Sequence, residues 1–365
     1  MLNKDIIYEL SKHLDRSTLF KLINCCASTK QFEQVFFDKY VITDKNIFEN
    51  LTLELLIKPI IANYLIQFIT KIQCIKITHW QNYIIVSHFK KQFKTLILTS
   101  ASEINNNIIQ CDELVLENCA WSSEFPVGIK KLSIQGHHSR NIYGMPDSIR
   151  SFAFSARGNP DIKPWSRSLK ELYLHGDYNR KLVDLPDGLM VLNLGYHFDS
   201  EITYLPDTIE HIRFGQVFDQ YITKWPVNLK SLSFGVAHDR PLDNLPVGLL
   251  KLNLSTNFTR PINNLPGTLV ELDLGENYNL PLKNLPVSLK ILHLPCYFNQ
   301  PIDDLPDSIE YLEIRGNYSQ VINKLPLNLK KLLVPTNYLY KRDLAKLCYS
   351  TRLRELIFTP GPSRY

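Results

Sequence analysis

No stretch of this 365-residue chain is both apolar and long enough to span a bilayer, and Met1-Leu2-Asn3-Lys4-Asp5 does not open a signal peptide. A membrane partner is therefore not expected. The seven cysteines (25, 26, 74, 111, 119, 296 and 348) are an odd, scattered set without a Cys-x-x-Cys pair. That argues for free thiols in a reducing compartment over a disulfide framework or a zinc site. Signatures of catalysis are missing as well: there is no phosphate-cradling glycine loop, no Gly-x-Ser-x-Gly and no His-Glu-x-x-His. His137-His138 comes nearest to a metal site, but adjacent side chains on an extended segment point apart, which leaves a turn surface as the simpler reading. Neither catalysis nor a cofactor is expected. Nucleic acid is not expected either. Before residue 126 there are 13 Lys and Arg against 13 Asp and Glu, so the net charge of +5 arises beyond that point, spread among acidic neighbours.

What the chain does have is a period. From Phe125 onward, eleven units repeat every 20 residues, marked by Pro126, Pro146, Pro186, Pro206, Pro226, Pro246, Pro266, Pro286, Pro306 and Pro326, with Trp165-Ser166 in the one register position that lacks its proline. A fixed period of this length means stacked units, none able to bury its apolar side alone. Within a unit the core reads Leu-x-x-Leu-x-Leu, as in Leu249/Leu252/Leu254, Leu269/Leu272/Leu274 and Leu289/Leu292/Leu294. Alternation sends both leucines of the last triplet to one face of a short strand and the residue between them to the other. Gly195, Gly215, Gly235 and Gly275 then offer tight turns. Twenty residues leave room for a strand of three or four residues, two turns and an extended return, where the Leu-Pro proline fits. The expected fold class is a leucine-rich-repeat-like solenoid with a parallel β-sheet, 20-residue coils lacking long helices, and a small α-helical N-terminal domain.

A second column is aromatic: Tyr178, Phe198, Phe218, Phe258, Tyr278, Phe298, Tyr318 and Tyr338, with His138 and His238 in the same register. So regular a ladder reads as an internal spine, and the Asn or Asp that usually follows it as a residue that ties up turn backbone. Outward strand residues, in contrast, vary freely. One such row holds Tyr173, Asn193, Arg213, Ser233, Asn253, Asp273, His293, Glu313 and Leu333; the other holds Glu171, Val191, His211, Ser231, Lys251, Glu271, Ile291, Tyr311 and Lys331. Tyr and Arg dominate interface hot spots, so Tyr173, His211, Arg213, His293 and Tyr311 are the target-binding candidates.

Phe298-Asn299-Gln300-Pro301-Ile302, opened by Leu289-x-x-Leu292-x-Leu294 and closed by Leu305-Pro306, resembles the FNIP repeat, a leucine-rich-repeat relative. That family is known from social amoebae and giant amoeba-infecting viruses, often with an F-box at the N-terminus. The first residues carry Leu2, Asp5, Ile6, Ile7, Leu10 and Leu14, then Leu19, Leu22, Cys25-Cys26 and Phe32, and resemble that F-box, with Asn3 in place of the usual proline and no closing tryptophan. The resemblance implies docking onto a Skp-type adaptor of a cullin ubiquitin ligase through Leu2, Ile6, Ile7, Leu10, Leu14 and Leu19. It further implies a cytoplasmic setting, the host cell's if the chain is viral. The helix pattern by itself favours a cap over the open end of the array, which would leave a protein-binding scaffold with no ubiquitin link; the coupling to FNIP-type repeats turns the reading to the F-box. The expected organisation is an F-box-like domain over 1–42, helices and degenerate first coils over 43–124, repeats over 125–340 and a C-terminal cap over 341–365.

Overall fold

The computed structural model describes residues 42–43, 74–77, 92–99, 110–119, 125–348 and 351–360. The F-box-like helices, with Leu2, Ile6, Ile7, Leu10, Leu14 and Leu19, lie outside these residues, as do the helices expected in the 43–124 segment. The chain divides into two compact units, Met1–Leu169 and Lys170–Tyr365. In each unit the described residues form parallel β-solenoid coils of about 20 residues.

The first unit holds β1 (Ile42–Thr43), β2 (Cys74–Ile77), β3 (Gln92–Thr99), β4 (Gln110–Glu117), β5 (Lys131–His137) and β6 (Ser151–Arg157), each parallel to the next. β5 and β6 run for 7 residues, longer than the three or four expected. The two strands go on pairing past the leucine-type core, through Gln135 with Ser155, Gly136 with Ala156 and His137 with Arg157. The neighbouring histidines do point apart. His137 is exposed, whereas His138 is buried and its Nδ1 lies 3.0 Å from the Cys119 carbonyl, so the turn-surface reading fails for His138.

The second unit contains β7 (Glu171–Leu174), β8 (Val191–Leu194), β9 (His211–Arg213), β10 (Ser231–Ser233), β11 (Lys251–Asn253), β12 (Glu271–Asp273), β13 (Ile291–Leu294), β14 (Tyr311–Ile314) and β15 (Lys331–Pro335). Every neighbouring pair is parallel and in register at a 20-residue offset. A helix, α1 (Lys341–Cys348), and a last strand, β16 (Glu355–Thr359) on β15, complete it. No helix among the described residues is long and apolar enough to cross a membrane.

Three devices hold a coil to the next. The inward leucines (Leu172, Leu192, Leu232, Leu252, Leu272, Leu292, Leu312 and Leu332) are fully buried, and Ile212 nearly so. The aromatic column is buried throughout and forms the spine, with ring centroids 6.2 Å apart for Phe198–Phe218 and 6.5 Å for Phe298–Tyr318. An Asn or Asp after the aromatic ties up backbone of the following coil: Asn179 Oδ1 accepts from the Asp199 amide (2.9 Å), Asp199 from Asp219 (2.9 Å) and Asp219 from Asp239 (3.0 Å). Repeat prolines also open tight turns. The Pro186 carbonyl accepts from the Leu189 amide, and the same bond recurs through Pro326 and Leu329. Coils approach so closely at the strand ends that a Cβ on Gly275 would lie 1.5 Å from the Ser255 carbonyl oxygen, which is why glycine is needed there.

One spine position is chemically out of place. His238 is stacked on Phe234 at 4.0 Å and is buried, with no hydrogen-bond partner at either ring nitrogen. Burial pushes its pKa down to about 4.

Candidate functional site: the outward sheet face

Strand alternation on the second unit produces a clean division. In β7 to β15 the residues flanking each buried leucine are half-buried or exposed, so both outward rows reach solvent along the whole run. All five target-binding candidates stand on these rows, and the structure gathers them into two groups.

The first group lies on β7 to β9. His211 and Arg213 are exposed, and Tyr173 is half-buried two strands away through Asn193. The Tyr173 ring is 6.3 Å from His175, the residue just past its strand. Burial, and then the nearby Arg213 cation, lower the His175 pKa and favour its neutral form. Burial and the Glu171 carboxylate raise that of the Tyr173 hydroxyl. Beyond the strand ends Tyr196 is 58% exposed, its ring 4.7 Å from His197.

The second group lies on β12 to β14 and is bound to itself. His293 Nδ1 sits 2.6 Å from Glu313 Oε2, and its ring is 5.3 Å from that of Tyr311. Arg315, one residue past β14, reaches back two coils. Its two terminal nitrogens donate to the two oxygens of Asp273 at 3.3 Å each, and one also donates to Glu313 at 3.1 Å. Burial holds the Asp273 carboxyl above its ordinary value against the pull of Arg315 and His293. For Glu313 burial acts in the same direction, but hydrogen bonds from His293 and Arg315 outweigh it and hold that carboxyl low. Cys296 is not an activated thiol beside this group. Burial and a hydrogen bond with Glu276 push its pKa up to about 11, the opposite of what a nucleophile needs.

His175, Asp273, Glu313 and Arg315 were not among the sequence candidates, although two of them carry a signal. The position after the strand is small or proline at Gly195, Gly215, Gly235, Ser255, Gly275, Pro295 and Pro335. His175 and Arg315 break that column. A large side chain in a column of small ones marks a place where the surface departs from what stacking alone requires.

Residues 178–217 and 277–316 match the family model of the FNIP repeat, each window spanning two coils. Among solved structures, the chain is similar to one described as CroV588, a novel circular LRR protein, at 16% identity and a TM-score of 0.44, covering 81% of this chain and 64% of that one. It is also similar to YopM from Yersinia enterocolitica WA-314 at 16% identity and a TM-score of 0.39, covering 80% of this chain and 76% of that one. The chain thus spans less than two thirds of the length of the first of these structures. No curated protein matches the sequence. The two matched windows are FNIP-type repeats within a longer run of 20-residue coils.

Proposed function

We propose that this chain is a non-catalytic protein-binding scaffold whose outward sheet face holds a target protein. Its N-terminal segment, 1–42, would dock a Skp-type adaptor and so present that target to a cullin ubiquitin ligase. One observation carries the binding reading. Two solvent-reaching rows of varied side chains stand in strict register on a fixed core of buried leucines, and their large Tyr, His and Arg residues fall into groups. The ligase half rests on the sequence pattern of Leu2, Ile6, Ile7, Leu10, Leu14 and Leu19, coupled to FNIP-type repeats in the same chain. A scaffold with no ubiquitin link, its N-terminal helices serving as a cap, is the second reading, favoured by the open ends that every such array must cover.

The two halves are tested separately. Purified adaptor should be retained by the immobilised full chain and lost on Leu10→Asp, which would bury an unpaired carboxylate in the docking face. If the full chain retains no adaptor where a known F-box protein does, the second reading takes over. For the scaffold, replacing Tyr173, Arg213, His293 and Tyr311 together with alanine should abolish capture of a target while the array stays folded. Full-strength capture by that variant would move the site off the sheet face.

A further inference from the structure

The two outward rows of the second unit carry five potential cations, and three of them are paired among the described residues. Lys251 meets Glu271 at 2.7 Å, Lys331 meets Glu355 at 2.8 Å and His293 meets Glu313 at 2.6 Å. Arg213 and His211, on one strand and one face, have no carboxylate within ion-pair reach among the described residues. A surface arginine gains a strong interaction only when a planar acceptor meets its fork of donors. Here no described residue supplies that acceptor.

The surroundings are shaped for one. Outward residues of β8 to β10 are Val191, Asn193, His211, Arg213, Ser231 and Ser233, with no acid among them. This makes a window three strands, or roughly 14 Å, wide. Asn193 and Ser233 are the register partners of Arg213 on either side, both short and able to hydrogen-bond. Past the strand ends Gly195, Gly215 and Gly235 carry no side chain. None can stand at Gly215, where a Cβ would lie 1.8 Å from the Gly195 carbonyl oxygen. Half-buried Tyr173 bounds the window on the β7 side, and Glu171 beside it is the nearest carboxylate on these rows, two strands from His211.

We propose that this window receives an acidic segment of the partner protein, with an aspartate or glutamate carboxylate on the Arg213 fork. The inference rests on the scaffold reading above and names the chemistry of its target. Charge complementarity selects the acid, and the pairing of the neighbouring lysines selects a protein over a nucleic acid. A phosphate backbone is held by a line of free cations, whereas Lys230 and Lys251, the lysines nearest along the sheet, are committed to Glu210 and Glu271 at 2.7 Å each.

The test is fluorescence anisotropy with a labelled ten-residue poly-L-glutamate and the full chain at low salt. Wild type should bind, and Arg213→Gln should weaken binding by about tenfold, the loss expected for a charge-assisted hydrogen-bonded pair. Arg342→Gln, the same charge change on exposed α1, should shift it less than about twofold by long-range electrostatics alone. The inference is overturned by a wild type that does not bind, by equal losses in the two variants, or by oligo-dT that binds more tightly than polyglutamate through the same Arg213. Should Arg213→Gln keep its polyglutamate affinity while the quadruple alanine variant still loses the target, the scaffold reading stands and only the acidic-segment inference falls.

Discussion

Two arginines of the second unit, five coils apart, are in opposite states: Arg213 on the outward face of β9 and Arg315 just past the end of β14. Arg315 is locked by Asp273 and Glu313, with its side chain 30% exposed. Arg213 faces solvent with no acid in ion-pair reach among the described residues, and its charge adds to burial in lowering the His175 pKa. The same buried column runs through both strands, with Ile212 beside Arg213 in β9 and Leu312 in β14, the strand that ends just before Arg315. The scaffold is therefore constant while the chemistry above it is not. A residue type alone does not mark a contact site; what matters is whether its partners already belong to the chain.

The comparison can be broken most forcefully from below. Ile212→Ala and Leu312→Ala should cost alike, about 2–5 kcal/mol, because each empties a fully enclosed site. Chemical denaturation followed by circular dichroism would measure both, and a large inequality would mean that the two ends do not share one scaffold.

The next effect concerns acid. His238 has its folded-state pKa pushed below the ordinary 6.5, to about 4, so the unfolded chain takes up the proton first as pH falls. Stability is lost progressively between those two values and levels off below them. His238→Phe should remove this loss, a gain on the order of 1–3 kcal/mol at pH 4 relative to pH 8. Thermal melts across that range would show it. An unchanged acid response would place the sensitivity elsewhere, and comparing the two arginines at low pH would need that other group removed first.

Smaller still is Arg315→Ala. It leaves two neighbouring carboxylates, one partly desolvated, without their shared cation, at a cost of roughly 1–2 kcal/mol, between the exposed and buried limits for ion pairs. Arg213→Ala should fall within about 0.5 kcal/mol. Equal melting shifts in the two variants would erase the contrast. Asn253→Asp, on the outward row between them, should be as quiet as Arg213→Ala by the same measurement.

Much of this molecule could be read before its structure. Prolines at a constant interval gave the coil, Leu-x-Leu gave the buried face, and the aromatic column proved to be a spine, since each position must satisfy the same neighbours in every coil. The strand lengths of β5 and β6 were less legible, because they depend on the two neighbours pairing on together through His137 and Arg157, and not on a residue type within one coil. The Arg315 cluster was not legible at all in its contacts. A side chain that reaches an aspartate 42 residues back obeys no local pattern. Tyr311 and His293 looked like free anchors in sequence, yet His293 is engaged by Glu313. Arg213 looked no different from them, and only the placement of its neighbours separates it.

The ladder of amide bonds from one coil's Asn or Asp to the next sets a rule for how such a surface can change length. Asn179, Asp199 and Asp219 each serve a neighbour at a 20-residue offset. Gain or loss of a whole coil re-forms the ladder, whereas gain or loss of one residue strands it. The spacing between the window at Arg213 and the cluster at Arg315 is thus adjustable only in whole steps of about 4.8 Å. Duplicating or excising one coil between them is a ruler moved by one notch, and it would re-space two chemically distinct stations without redesigning either.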